Sequence, residues 1–377
     1  MSGLLKVLSA ITPPPAQPAA REYDGWELRW KMLVFRPAMF KFEGVVLGVL
    51  AGYLLLYFIG RFINMSRAKA TIKPFEKTID SQFKVSRPLL SSGPSLHLLY
   101  STGRRNVLCM HSTITLTPLH DIASLAIHYG KAIIEPAYDV SETVLFDLTL
   151  GRGADGLQGE GLGVWAIADK SAMRDIREKR WDLTFPRLHD SSIVPVTHAL
   201  FAEHSDVTDV LMKTSGVGIS DVLSDPKAAS VLKYLLVTDQ PARRPAKGPL
   251  PAKFRSREIL LCLYKPKNAA QVEAAKAWLQ VALNIADLES RPNLLKPDVA
   301  RKLVKTRQQV DLDLTSAYSK EVAEDAPKEE TAEERRLAKK KAERAQMSEK
   351  ELKRLEELEK KREMRKMQKR GIKGGAQ

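Results

Sequence analysis

The chain has 377 residues, 44% of them hydrophobic, enough for one sizeable core with length left over for appendages. Its 60 Lys and Arg against 45 Asp and Glu give a formal charge of +15, which favours anionic partners such as nucleic acid or acidic lipid. Only two cysteines, Cys109 and Cys262, occur, each inside an apolar run; that excludes a disulfide-stapled secreted fold and reads as buried reduced thiols in a cytosolic domain.

At the N-terminus, LLKVLSAI is followed by the Pro-rich PPPAQP and then by charged and aromatic residues, which does not read as a cleaved signal peptide. From Gly44 to Gly60 the sequence GVVLGVLAGYLLLYFIG carries no charge, and Phe62 and Ile63 extend it past an arginine that can snorkel. Residues 44–63 therefore read as a transmembrane helix, flanked by Trp26, Trp30, Phe35 and Lys41 on one side and Arg61, Arg67 and Lys69 on the other. Gly44, Gly48 and Gly52 fall on one stripe that would admit another membrane helix closely, although the same spacing is also ordinary glycine use in a span. Four basic residues in 28–43 and five in 61–77 leave the orientation open by charge alone. The thiols and the basic tail point to a cytosolic C-terminal side, with residues 1–43 as a short luminal segment.

Residues 64–90 read as a juxtamembrane linker and 91–290 as an α+β domain with a mixed sheet. SLHLLYSTG (95–103) and NVLCMHSTITLTP (106–118) read as strands joined by a turn over TGRRN. Residues 119–134 repeat apolar positions Leu119, Ile122, Ala123, Leu125, Ala126 and Tyr129 at helical spacing, a helix expected to cover one face of the sheet. VSETVLFDLTL (140–150) and VWAIADK (164–170) are strand-like, and 171–181 is helical with Ser171 as the expected cap. Further on, 226–240 reads as a helix running into an extended end, 256–265 as a buried strand and 268–290 as an amphipathic helix.

Catalytic and cofactor motifs are weak. Gly151, Gly153 and Gly156 match GxGxxG after a strand, but three more glycines and another strand follow where a phosphate site needs a helix N-terminus; a hairpin loop is the better reading. His97, His111, His120, His128, His189, His198 and His204 show no paired metal-ligand spacing, and His204-Ser205-Asp206 lacks a nucleophile elbow. No catalytic residue, metal or cofactor is expected. The loop 240–257 is more informative, with Arg243, Arg244, Lys247, Lys253, Arg255, Arg257 and four prolines but no acid. It reads either as a solvated loop or as one that contacts phosphates.

Residues 291–326 read as a helical region, with a polar helix over 297–325, and 327–377 as a charged tail, helical or partly disordered. The tail from Pro327 holds 18 basic and 11 acidic residues. Glu349 with Lys353, Glu356 with Lys360 and Glu357 with Lys361 are favourable i,i+4 pairs, while Leu352, Leu355 and Leu358 stop short of a sustained heptad. Charge then segregates into Lys360, Lys361, Arg362, Arg365, Lys366, Lys369, Arg370 and Lys373 against the single acid Glu363, an end suited to an RNA backbone or an anionic membrane.

The order of these features resembles the calumin family, the coiled-coil subunit of the PAT (protein associated with translocon) complex of the endoplasmic reticulum. The resemblance is carried by GRFINMSRAKA (60–70), SSGPSLHLLYSTGRRN (91–106), VWAIADKSAMRDIREKRWDLTF (164–185) and EKKREMRKMQKRGIK (359–373). It implies a cytosolic domain beside the membrane, a helical C-terminal region reaching the ribosome and the Sec translocon, and partnership with the small membrane protein Asterix. It further implies assistance to nascent multi-pass membrane proteins, without catalytic residues. Animal relatives carry a signal peptide and a long acidic luminal region associated with calcium binding. Here residues 1–43 contain four acids, Glu22, Asp24, Glu27 and Glu43, so calcium binding is not carried over. A rival expectation is a membrane-surface scaffold whose basic end binds anionic lipid.

Overall fold

The computed structural model describes residues 25–31, 33–135, 138–152 and 161–325, together with positions 358, 360, 361 and 364. Contacts divide the chain into two units, Met1–Thr315 and Ser316–Gln377. In the first, β1 (Leu28–Trp30) and β2 (Leu33–Phe35) form a small antiparallel pair, and a 3-10 turn at Pro37–Phe40 leads into the long helix α1 (Lys41–Gln82). There follow β3 (Val85–Ser86), β4 (Leu90–Ser91), β5 (Leu96–Thr102), β6 (Cys109–Thr115), α2 (Ile122–Ile134), β7 (Thr143–Arg152), β8 (Trp165–Asp169), α3 (Met173–Lys179), β9 (Arg187–His189) and β10 (His198–Ala202). Helices α4 (Ser205–Lys213), α5 (Ile219–Ser224) and α6 (Pro226–Val231) precede β11 (Leu232–Thr238), β12 (Ser256–Tyr264), α7 (Ala269–Glu289) and α8 (Pro297–Asp325). In the second unit, the end of α8 and Leu358, Lys360, Lys361 and Met364 are helical.

Ten strands make one sheet in the order β3-β5-β6-β7-β12-β11-β8-β10-β9, with β4 also paired to β5. Every pairing among the described strands is antiparallel, which corrects the expected mixed sheet. The α+β class stands. The succession of strands and helices along the chain does not show direction: β12, more than a hundred residues further along, takes the place beside β7. The same order overturns the hairpin reading of the Gly-rich segment, because β12 and β11 separate β7 from β8. The connection therefore bridges three interstrand spacings, about 14 Å. Residues 153–160 within it lie outside the described residues.

The central strands are buried on both faces, as their side-chain alternation requires. Trp165, Ile167, Leu235, Val237, Ile259, Leu261 and Leu263 point into the main core, whereas Ala166, Ala168, Leu236 and Leu260 point into a smaller one closed by Ile176 of α3 and Leu183. Helix α7 fills the main core with Trp278, Leu279, Leu283 and Ile285, and the Trp278 indole N–H donates to the Ala228 carbonyl at 2.9 Å, satisfying its polar edge. Ser171 does not cap α3. Its N–H and hydroxyl instead donate to the Asp169 carboxylate at 3.0 and 2.8 Å, and Ala172 holds the cap position without a side-chain bond.

Two sequence expectations fail here for one reason. Residues 64–82 are not a linker, because α1 continues unbroken and buries Ala68, Thr71, Ile72, Phe75 and Ile79 along one face, with Phe75 tilted against Phe146 at 5.2 Å. With that surface taken by α1 and α7, α2 does not cover the sheet; none of its residues is buried.

Candidate membrane junction and polyanion surfaces

The first half of α1 contains an eighteen-residue window of mean hydropathy 2.0, none of it buried. Val45, Val49, Leu55, Phe58 and Phe62 are all at least 60% exposed, so this half is a candidate membrane span rather than a core helix. No described atom lies within 4 Å of a methyl built on Gly44, Gly48 or Gly52, which leaves that stripe open to a partner helix.

The close approach occurs instead at Gly60. A methyl there would overlap the Leu119 carbonyl and lie 2.6 Å from the His120 nitrogen, so glycine is what lets the 117–121 turn lie on the helix. The Tyr57 ring meets His120 edge-on at 5.7 Å, and the Tyr53 hydroxyl donates to Asp121 at 3.2 Å. One turn after Gly60, the buried Asn64 amide donates to the carbonyls of Pro94 and Thr117 at 3.1 and 2.9 Å. Next comes Arg67, 2.7 Å from Glu142, which also pairs with Lys265 at 2.8 Å and accepts from the Thr117 N–H and hydroxyl at 3.2 and 2.9 Å. Gly60, Asn64, Arg67, Thr117, Glu142 and Lys265 thus bind the helix to the domain where the apolar run ends.

Burial works to raise the Glu142 pKa, but the bonds from Lys265 and Thr117 outweigh it and leave the carboxyl at about 2. Glu142→Gln keeps the shape and removes the charge, and should cost the folded domain about 2 kcal/mol at pH 7, allowing for partial exposure of the pair. The folded value lies below the unfolded 4.5, so the contribution is complete above that pH and is lost as pH falls toward about 2. Denaturant unfolding of both proteins at pH 7 and pH 3 checks this; a deficit that does not shrink at pH 3 would refute it.

The basic loop between β11 and β12 divides into two sets. Arg243, Arg244, Lys247 and Lys253 are exposed. Arg255 donates to the Leu250 carbonyl at 3.1 Å and pairs with Asp311 at 2.7 Å, tying the loop to α8. Arg257 lies in β12 beside Gly161, where its charge acts on the buried Glu289, a carboxyl that burial pushes up to about 7 against that arginine's pull. Nearby, Arg307 of α8 pairs with both Glu203 and Asp239, the latter at 2.8 Å. Burial raises the Glu203 pKa, with Arg307 opposing. Of the six cations in the loop, Arg255 and Arg257 thus have partners within the fold, and Arg243, Arg244, Lys247 and Lys253 face solvent.

In the tail, Lys360 and Lys361 are helical and exposed, while Arg362, Arg365, Lys366, Lys369, Arg370 and Lys373 lie outside the described residues. The histidines are dispersed: His128 bonds the Tyr138 hydroxyl at 3.0 Å, His189 the Ala202 carbonyl at 3.2 Å, and His198 the Leu232 carbonyl at 3.1 Å. Among the described residues no three His, Cys, Asp or Glu side chains are placed to hold a metal. Both cysteines are buried free thiols, and burial pushes Cys262 up to about 11. Sequence reasoning missed Gly60, Asn64 and Glu142. The available signal was Asn64, a lone amide directly after the apolar run and too short to snorkel.

Residues 39–366 match the family model described as PAT complex subunit CCDC47. The chain is also 26% identical over 302 residues, covering 75% of its own length and 78% of the relative's, to a UPF0674 endoplasmic reticulum membrane protein of Schizosaccharomyces pombe. With the match running from the start of the span into the basic tail, the chain belongs to the CCDC47 family of PAT complex subunits.

Proposed function

We propose that this chain is a non-enzymatic adaptor and chaperone subunit of the endoplasmic reticulum membrane, spanning it once with the domain and tail in the cytosol. The basic tail and the exposed cations of the β11–β12 loop contact ribosomal RNA. The open glycine stripe and the domain engage the Sec translocon, an Asterix-like small membrane protein and the emerging spans of multi-pass proteins. Family membership and the relative's endoplasmic reticulum name support the location. The observation that carries the mechanism is the unbroken α1, which roots the domain directly on its span through Asn64, Arg67 and Glu142.

An adaptor of this kind gains from multivalency. A weak contact between lysines and phosphates becomes effective when the membrane already confines the protein near the ribosome, because the second contact forms at high local concentration. Deleting residues 327–377 from the detergent-solubilised chain should weaken co-sedimentation with ribosomes by about tenfold or more near 0.15 M salt and flatten its salt dependence. Equal retention through a salt series would remove the tail from ribosome binding. Strong retention on anionic liposomes that ribosomal RNA does not displace would favour the lipid-scaffold reading instead.

A further inference from the structure

Helix α2 has the sequence IASLAIHYGKAII and buries none of it. Ile133 is 85% and Ile134 84% exposed, with Ile122 and Ile127 above half. Positions 122, 126, 129 and 133 run along one helical line as Ile, Ala, Tyr, Ile, and 123, 127, 130 and 134 along the next as Ala, Ile, Gly, Ile. The polar residues Ser124, His128 and Lys131 share a different line. That line meets Tyr138 of the domain, through the His128 bond at 3.0 Å and through Lys131 over the ring at 5.9 Å.

The placement of α2 says what covers the apolar lines. The turn that leads into it, Leu119–Asp121, is seated on α1 at Tyr53, Tyr57 and Gly60, all inside the apolar run and not beyond it. At 1.5 Å per residue, Tyr53 lies about 15 Å along the axis from Ile63, roughly half the thickness of a bilayer core. The exposed isoleucines thus begin at the depth of the span's own lipid-facing residues. Thirteen residues reach only about 20 Å, too short to cross.

We propose that α2 is a second membrane element, a monotopic helix lodged in the leaflet nearest the domain, with its isoleucine lines among the acyl chains and its Ser124–His128–Lys131 line toward the headgroups and the domain. The occupant of this face is lipid. The protein is thereby held by two unlike elements, a span that sets depth and a helix confined to one leaflet that fixes rotation about the span.

Single cysteines at Ile127→Cys and Ile134→Cys in the full chain can be labelled with an environment-sensitive fluorophore, since both native thiols are buried. In phosphatidylcholine proteoliposomes, nitroxides on the acyl chains should quench both sites at least about threefold more than aqueous iodide does, and a label at Val304→Cys on exposed α8 should show the reverse. Ala126→Cys replaces either isoleucine variant that loses its near-ultraviolet circular dichroism. Iodide quenching of α2 equal to that of Val304→Cys would overturn the proposal. So would shielding from both quenchers, the result expected if a second protein covered the face.

Discussion

Arg307→Ala should destabilise the domain by about 3–5 kcal/mol, a large share of the stability of any single domain. Arg307 is 12% exposed and lies between Glu203, at 5%, and Asp239, at 24%. Its removal strands two carboxylates in a poorly solvated site, and burial already raises the Glu203 pKa with the arginine present. The loss should appear as an earlier denaturant midpoint, followed by the fluorescence of the buried Trp165 and Trp278. A triple replacement, Arg307→Met with Glu203→Gln and Asp239→Asn, should recover most of the loss, because the penalty comes from unpaired charge. If the triple variant is no more stable than the single one, lost packing against Phe185, 5.5 Å away, is the better account. Arg307 and the Asp311–Arg255 pair also fix the first part of α8 against the sheet and the β11–β12 loop.

Gly60→Leu should separate the 117–121 turn from α1. The obstacle at this position is backbone, the Leu119 carbonyl and the His120 nitrogen, so no side chain can rotate away to make room. Overpacking of this kind costs about 1–3 kcal/mol or more, and here it acts at one end of the Asn64–Thr117 bond. The expected result in proteoliposomes is faster proteolysis between residues 117 and 142, with α2 withdrawn from the acyl-chain quenchers. Gly48→Leu is the control: nothing lies within 4 Å of that position, so the isolated chain should behave as wild type, while recovery of a membrane partner falls if the stripe is its contact surface. Equal proteolysis of the two variants would show that Gly60 is not the seat of the turn.

Strands β5–β7, β11 and β12 and helix α7 were legible because each is marked locally, the strands by alternating or continuous apolar runs and the helix by an apolar face. The continuation of α1 was not. Residues 64–82 alternate Arg67, Lys69, Lys73, Glu76, Lys77 and Asp80 around a proline, and the buried line 68-72-75-79 is visible only once its partner Phe146 is known. Strand direction was illegible for a related reason: β12 joins β7 across a separation that no local pattern encodes. For α2 the period was read correctly and its destination wrongly, since an apolar face records that it needs cover but not whether protein or lipid supplies it. At the candidate site, the cations of the 240–257 loop were visible as a count. Which of them the fold consumes depends on Asp311 and Glu289, which are distant in sequence.

The unbroken α1 has a mechanical consequence. Helices joined to domains by loose segments can lean in a bilayer without moving what they carry, whereas a span formed by the first half of α1 would carry the domain with it, because residues 64–82 continue the same helix. Residues 64–82 extend about 28 Å past the apolar run, so a lean of about 20° sweeps the far end of the helix sideways by about 10 Å. A bilayer that thins or thickens changes that lean. If α1 crosses the bilayer, a change of local thickness would thereby shift the domain laterally.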